Sequence, residues 1–240
     1  MDHPAEAPAL SSTAPTNTVA QFEKESTDWE ARYQHASFQA RERAFGKLLD
    51  RLSLAGQRWL DAGCGSGRFS RILAKRGAAV KGVDAAQGMV DASTRITAAQ
   101  TFATSPAPVF QKIETIETLA EPTGEYQGVL CSSVLEYVDQ PTRAIAEFAR
   151  LLNNDGQLLI SVPNRGSLVR RTQKVLYTMT RFLGLRPRPG YLEFSKHDYS
   201  LAEFSALLAE QGFEVVSHES YSATTRINDA TLLVVLARKK

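Results

Sequence analysis

A chain of 240 residues that is 43% apolar can bury one core and is short for two, which leaves a single domain with at most a tail or an insert. Its 28 Lys and Arg against 26 Asp and Glu give a net charge of +2, so no global field marks nucleic acid or an anionic surface as partner, and any basic patch must be local. Two cysteines, Cys64 and Cys131, exclude a disulfide-dense secreted scaffold and a four-thiolate metal site; with no leader-like start and no apolar run near the about 20 residues of a membrane span, the expectation is a soluble, cytoplasmic chain.

Residues 1–18 hold Pro4, Pro8 and Pro15 and no Lys or Arg, a composition that cannot offset its ordering entropy, and are expected to form a disordered tail ahead of one domain at 19–240. Over 19–52, Phe22, Trp29, Tyr33, Phe38, Phe45, Leu48, Leu49 and Leu52 are spaced for one or two helices. Strands and helices then alternate as they do around a largely parallel sheet. Strands are expected over 58–62, 79–84, 109–113, 126–132 and 157–162, and helices over 67–76, 87–97 and 142–152. A last helix at 201–211 ends at Gly212. Strands at 213–218 and 231–237 follow with no room for a helix between them, so the sheet should finish with an antiparallel pair.

Between Asn164 and Gly190 the alternation breaks, in 27 residues that carry seven Arg or Lys and no acid. This stretch reads as an insert. Leu168, Val169, Val175, Leu176, Tyr177, Met179, Phe182, Leu183 and Leu185 are interleaved with Arg170, Arg171, Lys174 and Arg181, as in a cationic amphipathic helix. Such a helix can lie on anionic lipid or cover an apolar substrate; it can equally pack on the end of the sheet with its charges in water. Contact with RNA is not expected, because no base-stacking platform accompanies the basic residues.

The chemistry concentrates after the first strand. Asp61-x-Gly63-x-Gly65-x-Gly67 sits where a glycine-rich turn lets a ligand approach the backbone and meet the N–H groups that open a helix. The dinucleotide pattern G-x-G-x-x-G fails, since its third position is Arg68 counted from Gly63 and Ser70 counted from Gly65. A phosphate-binding loop fails too, because Arg68-Phe69 follows Gly67. Asp84 ends the second strand, where a carboxylate can accept two hydrogen bonds from a ribose diol.

Together with Gly82-Val83-Asp84, this turn resembles the first two motifs of the class I S-adenosylmethionine-dependent methyltransferases. Leu135-Glu136-Tyr137-Val138-Asp139-Gln140-Pro141 is similar to that superfamily's L-E-H-x-x-D-P segment, and Leu151-Leu152-Asn153-Asn154-Asp155-Gly156-Gln157 to its L-K-P-G-G turn. Within the superfamily, residues 19–165 resemble the bacterial ubiquinone-pathway polyprenyl-catechol O-methyltransferases, through Val19-Ala20-Gln21-Phe22-Glu23, the stretch 111–117 and Pro163-Asn164-Arg165. The resemblance implies a three-layer α/β sandwich of Rossmann-like type, with a mostly parallel seven-stranded sheet ordered 3-2-1-4-5-7-6 and the last strand antiparallel. It implies S-adenosylmethionine over the carboxyl ends of strands 1, 2 and 4, with Asp61, Gly63, Gly65, Gly67, Asp84, Ala85 and Met89 around it. Thr115 and Ile116 would lie beside adenine and Ser132 against adenosine. Arg43, eighteen residues before Asp61, would hold the methionyl carboxylate, unless it is an ordinary solvated helix charge.

One departure matters. The related enzymes carry E-x-x-E-H after the fourth strand, a ligand set for a divalent ion that would orient a catechol, where this chain has Ser133, Glu136 and Tyr137. A serine hydroxyl and a phenol replace a carboxylate and an imidazole poorly, so neither the metal nor the catechol is carried over. Methyl transfer chiefly needs in-line positioning and exclusion of water. Should a base assist, the candidates are His197, Tyr137 and His35, as His3 lies in the tail and His218 on a strand. The expected function is methylation, favouring oxygen, of a small apolar or amphipathic molecule under a cover built from 19–52 and 164–198, with peripheral membrane contact through 164–190. An RNA or protein methyltransferase, or a catalytically silent S-adenosylmethionine-binding subunit, are the alternatives; oligomeric state is open.

Overall fold

In the first strand, Trp59 and Leu60 are both fully buried although they point to opposite faces, as a central strand covered on both sides requires. The computed structural model describes residues 17–184, 190–222 and 229–240. Its strands are β1 (Arg58–Ala62), β2 (Ala79–Asp84), β3 (Val109–Lys112), β4 (Tyr126–Cys131), β5 (Leu152–Pro163), β6 (Phe213–Tyr221) and β7 (Leu232–Lys239). They form one sheet in the order β3-β2-β1-β4-β5-β7-β6. The pairs from β3 through β5 are parallel, and β7 runs antiparallel to both β5 and β6. Fold and strand order are those the resemblance implies.

The helices are α1 (Asn17–Glu25), α2 (Ala36–Leu49), α3 (Arg68–Lys75), α4 (Gln87–Ala98), α5 (Pro141–Leu151), α6 (Leu168–Phe182) and α7 (Leu201–Glu210). One face of the sheet packs Trp59, Leu130 and Leu159 against Phe45 and Leu48 of α2 and Phe69 and Leu73 of α3. The other packs Leu60, Val129 and Ile160 against Phe148 of α5 and Phe204 and Leu208 of α7. Because Asp61 pairs with Gly82 on one side and Leu130 on the other, the carboxyl ends of β1, β2 and β4 finish level and present one ledge.

Two expectations change. The tail expected over 1–18 gives way at Asn17, where helix α1 starts; residues 1–16 lie outside the described residues. The region 19–52 holds two helices, as its spacing allows, joined through 3-10 turns at Ser26–Asp28 and Glu30–Gln34. β5 begins at Leu152, directly off α5, and its pairing with β4 jumps from Tyr126↔Leu152 to Gly128↔Gln157. The Asn-Asn-Asp-Gly run is therefore an irregularity within the strand, with Asp155 at φ 61°.

The insert does form a helix, and its start is fixed by chemistry rather than by burial. Ser167 Oγ accepts from Arg170 N, and Asp229 accepts from the backbone of Leu168 and Val169, which satisfies donors that a helix start leaves unbonded. Residues 185–189 of the insert lie outside the described residues. Among the described residues, no helix is long and apolar enough to cross a membrane.

Candidate functional site

The backbone turns sharply where β1 ends. Gly63 N and Cys64 N both donate to Val83 O, at 2.8 and 2.9 Å, and Gly63, Gly65 and Gly67 have φ of 75°, 52° and 76°, the region that favours glycine. Sterics point the same way at Gly63, where a Cβ would overlap Val134. Gly67 caps α3 with no side-chain bond, so the first-turn N–H groups and the positive end of the helix dipole lie beside the turn.

Two carboxyls flank this turn. Asp84 accepts from Gly65 N at 2.8 Å through Oδ2 and from Ala86 N at 2.9 Å through Oδ1; burial raises its pKa and these backbone bonds oppose the rise. Each oxygen retains a lone pair for a further donor. Asp61, 1% exposed, accepts from Ser70 Oγ at 2.6 Å. Burial pushes its pKa up to about 7 against that hydrogen bond, and the Asp84 charge adds to the rise.

Both line a cavity of about 700 Å³ over the carboxyl ends of the strands. Gly63, Gly65, Ala85 and Met89 line it as well, as do Thr115, Ile116 and Ser132. Ser132 Oγ is buried with no hydrogen-bond partner among the described residues, a polar atom that an occupant would satisfy. Gly67 stands back from the cavity and packs on Phe110 and Ser93.

Arg43 is a correction. It is exposed and lies in a separate polar recess with Glu42 and Arg68. Arg41 is the arginine that lines the cavity; it is 9% exposed, with its guanidinium 4.2 Å from the Phe38 ring centre. No ion pair or hydrogen bond of Arg41 to a carboxylate is formed among the described residues. Counting residues back from Asp61 cannot fix the phase of α2. The buried face, Arg41, Ala44, Phe45, Leu48 and Leu49, is what fixes it.

Residues 17–34 run across the mouth as a strap. Glu30 accepts from Ser66 Oγ at 2.6 Å and from the buried Arg71 at 2.9 Å, and Arg71 also donates to Ser66 O. Glu23 accepts from Gly88 N at 2.9 Å, which pins α1 to the start of α4. Trp29 sits over Gly65 and meets Phe22 and Phe38 edge-on. Glu23, Glu30 and Arg71 carry no local signature of these roles, because the contacts that tie the strap down, Glu30 to Ser66 and Arg71 and Glu23 to Gly88, each span more than 30 residues.

Of the three candidate bases, Tyr137 alone lines the cavity, edge-on to Phe22 at 5.3 Å. His35 is exposed at the N-cap of α2, outside the cavity. His197 places Nε2 3.0 Å from Val138 O, while its neighbour Lys196 lines the cavity and pairs with Asp139. Glu136, 3% exposed, receives Ser195 Oγ at 2.6 Å and Arg170 Nη2 at 3.3 Å, both on Oε2. A divalent ion does not fit here: a guanidinium already stands against the one carboxylate of the Ser133, Glu136, Tyr137 set. No cluster of three or more metal-ligating side chains occurs among the described residues.

A family model described as a methyltransferase domain matches residues 33–218. The ubiquinone biosynthesis O-methyltransferase of Xanthomonas oryzae pv. oryzae is 40% identical over 116 residues, 48% of this chain and 46% of that one. The chain thus spans about half the length of the curated relatives it matches. Among solved structures, a SAM-dependent methyltransferase from Methanosarcina mazei superposes with a TM-score of 0.66 at 20% identity, over 80% of this chain and 96% of that one. The magnesium protoporphyrin IX methyltransferase of Synechocystis PCC 6803 with bound SAH gives 0.63 at 22%, over 95% and 90%. At these identities the two structures speak for the fold.

Proposed function

The chain belongs to the methyltransferase-domain family, and from that premise we propose that it transfers the methyl group of S-adenosylmethionine to oxygen on a small, apolar or amphipathic acceptor. The observation that carries this reading is the convergence of the glycine turn, Asp84 and the partnerless Ser132 Oγ on one cavity. Asp84 has lone pairs for a ribose diol, Ser132 Oγ gains a partner from the nucleoside, and Met89 with Ile116 gives adenine an apolar slot. Arg41 takes the role first given to Arg43: a buried guanidinium without a carboxylate partner is matched by the methionyl carboxylate. The cofactor supplies a methyl group on a sulfonium, which leaves as a neutral thioether.

The chain's part is then to orient the acceptor and keep water out. The strap closes the mouth, and Phe22, Trp29, Phe38 and Val138 give the acceptor an apolar wall. Oxygen is favoured because the curated relatives are O-methyltransferases. Peripheral membrane contact has its own support in α6. Arg170 and Gln173 face the cavity, whereas Leu168, Val175, Leu176, Met179 and Phe182 are exposed along the other side, Phe182 at 89%.

Thermal melting with S-adenosylhomocysteine and with NAD tests the cofactor assignment. Ligand at 100 times its dissociation constant stabilises by about 2.7 kcal/mol, and this is expected for S-adenosylhomocysteine alone. Stabilisation by NAD instead would overturn the reading. Transfer of labelled methyl groups into lipid and aqueous metabolite extracts then identifies the acceptor.

A further inference from the structure

We propose that Glu136 is the group that takes the acceptor's proton, and that Arg170 of the insert and Ser195 just after it hold it in place. The proposal rests on the methyl-transfer reading and deepens it. Three observations converge. Glu136 lines the same cavity as Asp61, Gly63 and Asp84, so it shares a chamber with the cofactor residues. Its two oxygens are unlike: Oε2 holds both Arg170 Nη2 and Ser195 Oγ, and among the described residues no hydrogen bond reaches Oε1. The segment that brings Ser195 is itself anchored on the same residue, as Lys196 N donates to Glu136 O at 2.8 Å.

Such an arrangement gives a cavity-lining carboxylate with one oxygen clamped and the other left to accept a proton. Burial raises the pKa of Glu136, and Arg170, then Ser195, then Arg41 oppose the rise. Tyr221 faces it from β6. A buried carboxylate more basic than usual, with a guanidinium beside it to stabilise its charged form, suits general-base work. The alternatives lack that form: burial pushes the Tyr33 and Tyr221 phenols up to about 12 and the Cys64 thiol well above its ordinary value. In the step, the acceptor's O–H bond breaks and its proton passes to Oε1. The oxygen lone pair forms the new O–C bond, the electrons of the S–C bond stay on sulfur, and Glu136 returns the proton to water. Where the related enzymes would place a divalent cation beside this carboxylate, the positive charge here comes from the chain itself.

The test is calorimetric titration of the protein loaded with S-adenosylhomocysteine, using 4-octylphenol and its methyl ether, 4-octylanisole, as probes. Wild-type protein is expected to bind the phenol at least about tenfold tighter than the ether. In E136Q the amide oxygen faces Arg170 and Ser195 and the NH2 group faces the cavity, so the preference disappears while S-adenosylhomocysteine affinity stays unchanged. R170M lowers the preference and R170K restores part of it, which simple loss of packing would not produce. Equal binding of phenol and ether by the wild type, or a preference that survives in E136Q, overturns the proposal. Failure of S-adenosylhomocysteine to bind the wild type would instead sink the cofactor reading on which it rests.

Discussion

Asp61 holds its proton to an unusually high pH, since burial pushes its pKa up to about 7. A carboxyl raised in this way binds its proton more tightly folded than unfolded, so its contribution to stability declines as pH rises from the ordinary carboxylate range through about 7. Ligand binding should show the opposite trend. An ammonium group placed beside Asp61 favours the ionised form, so binding S-adenosylhomocysteine below neutrality must expel a proton. Affinity is therefore expected to rise from pH 5 towards 7 and then level off. Calorimetry at pH 6 in two buffers of different ionisation enthalpy will count the proton; identical heats in both would refute it. Asp61 and its neighbours could be read from the sequence because they lie within a single strand and turn. Arg41 and Glu30 could not, because helix phase in one case and a partner far along the chain in the other decide where the side chain points.

At the scale of elements, α6 turns a polar side inward and an apolar stripe outward. Periodicity foresaw the helix and its basic residues but not which of them would remain outside. Arg170 is buried against Glu136, and Lys174 pairs with Asp198, because the chain after α6 returns beneath it. Arg171 and Arg181 remain exposed beside the stripe. Basic residues near an anionic surface contribute roughly 1 kcal/mol each, and buried apolar area adds to that. Weak, salt-sensitive flotation with phosphatidylglycerol vesicles is expected. Changing Arg171 and Arg181 to Glu, with Phe182 to Ser, should abolish it without altering S-adenosylhomocysteine affinity. Absence of flotation at low salt would leave α6 as a wall of the cavity only.

For the molecule as a whole, the strand order was legible only through the family that the motifs resemble; the alternation of strand and helix from β1 to β5, followed by two strands with no helix between them, by itself gave a largely parallel sheet ending in an antiparallel pair. The close approaches that hold the layers together were not. Gly128 in β4 lies under the Trp59 indole, where any Cβ would overlap the ring, and both strands sit at the centre of the sheet. Gly128→Ala should therefore cost about 1–3 kcal/mol through overpacking, lowering the melting temperature by roughly 2–4 °C per kcal/mol for a chain of this size. A melting point equal to wild type would show that β1 and β4 can move apart.

The strap has a practical corollary. The chain has two tryptophans, and they occupy opposite environments: Trp59 is fully enclosed in the core, while Trp29 is carried by the strap and lines the cavity beside Gly65. Any change in intrinsic fluorescence when a ligand enters can thus be assigned to one indole without a label. A stopped-flow trace of that emission would follow the strap itself, and the Trp29→Phe protein, dark to the event, would be the control.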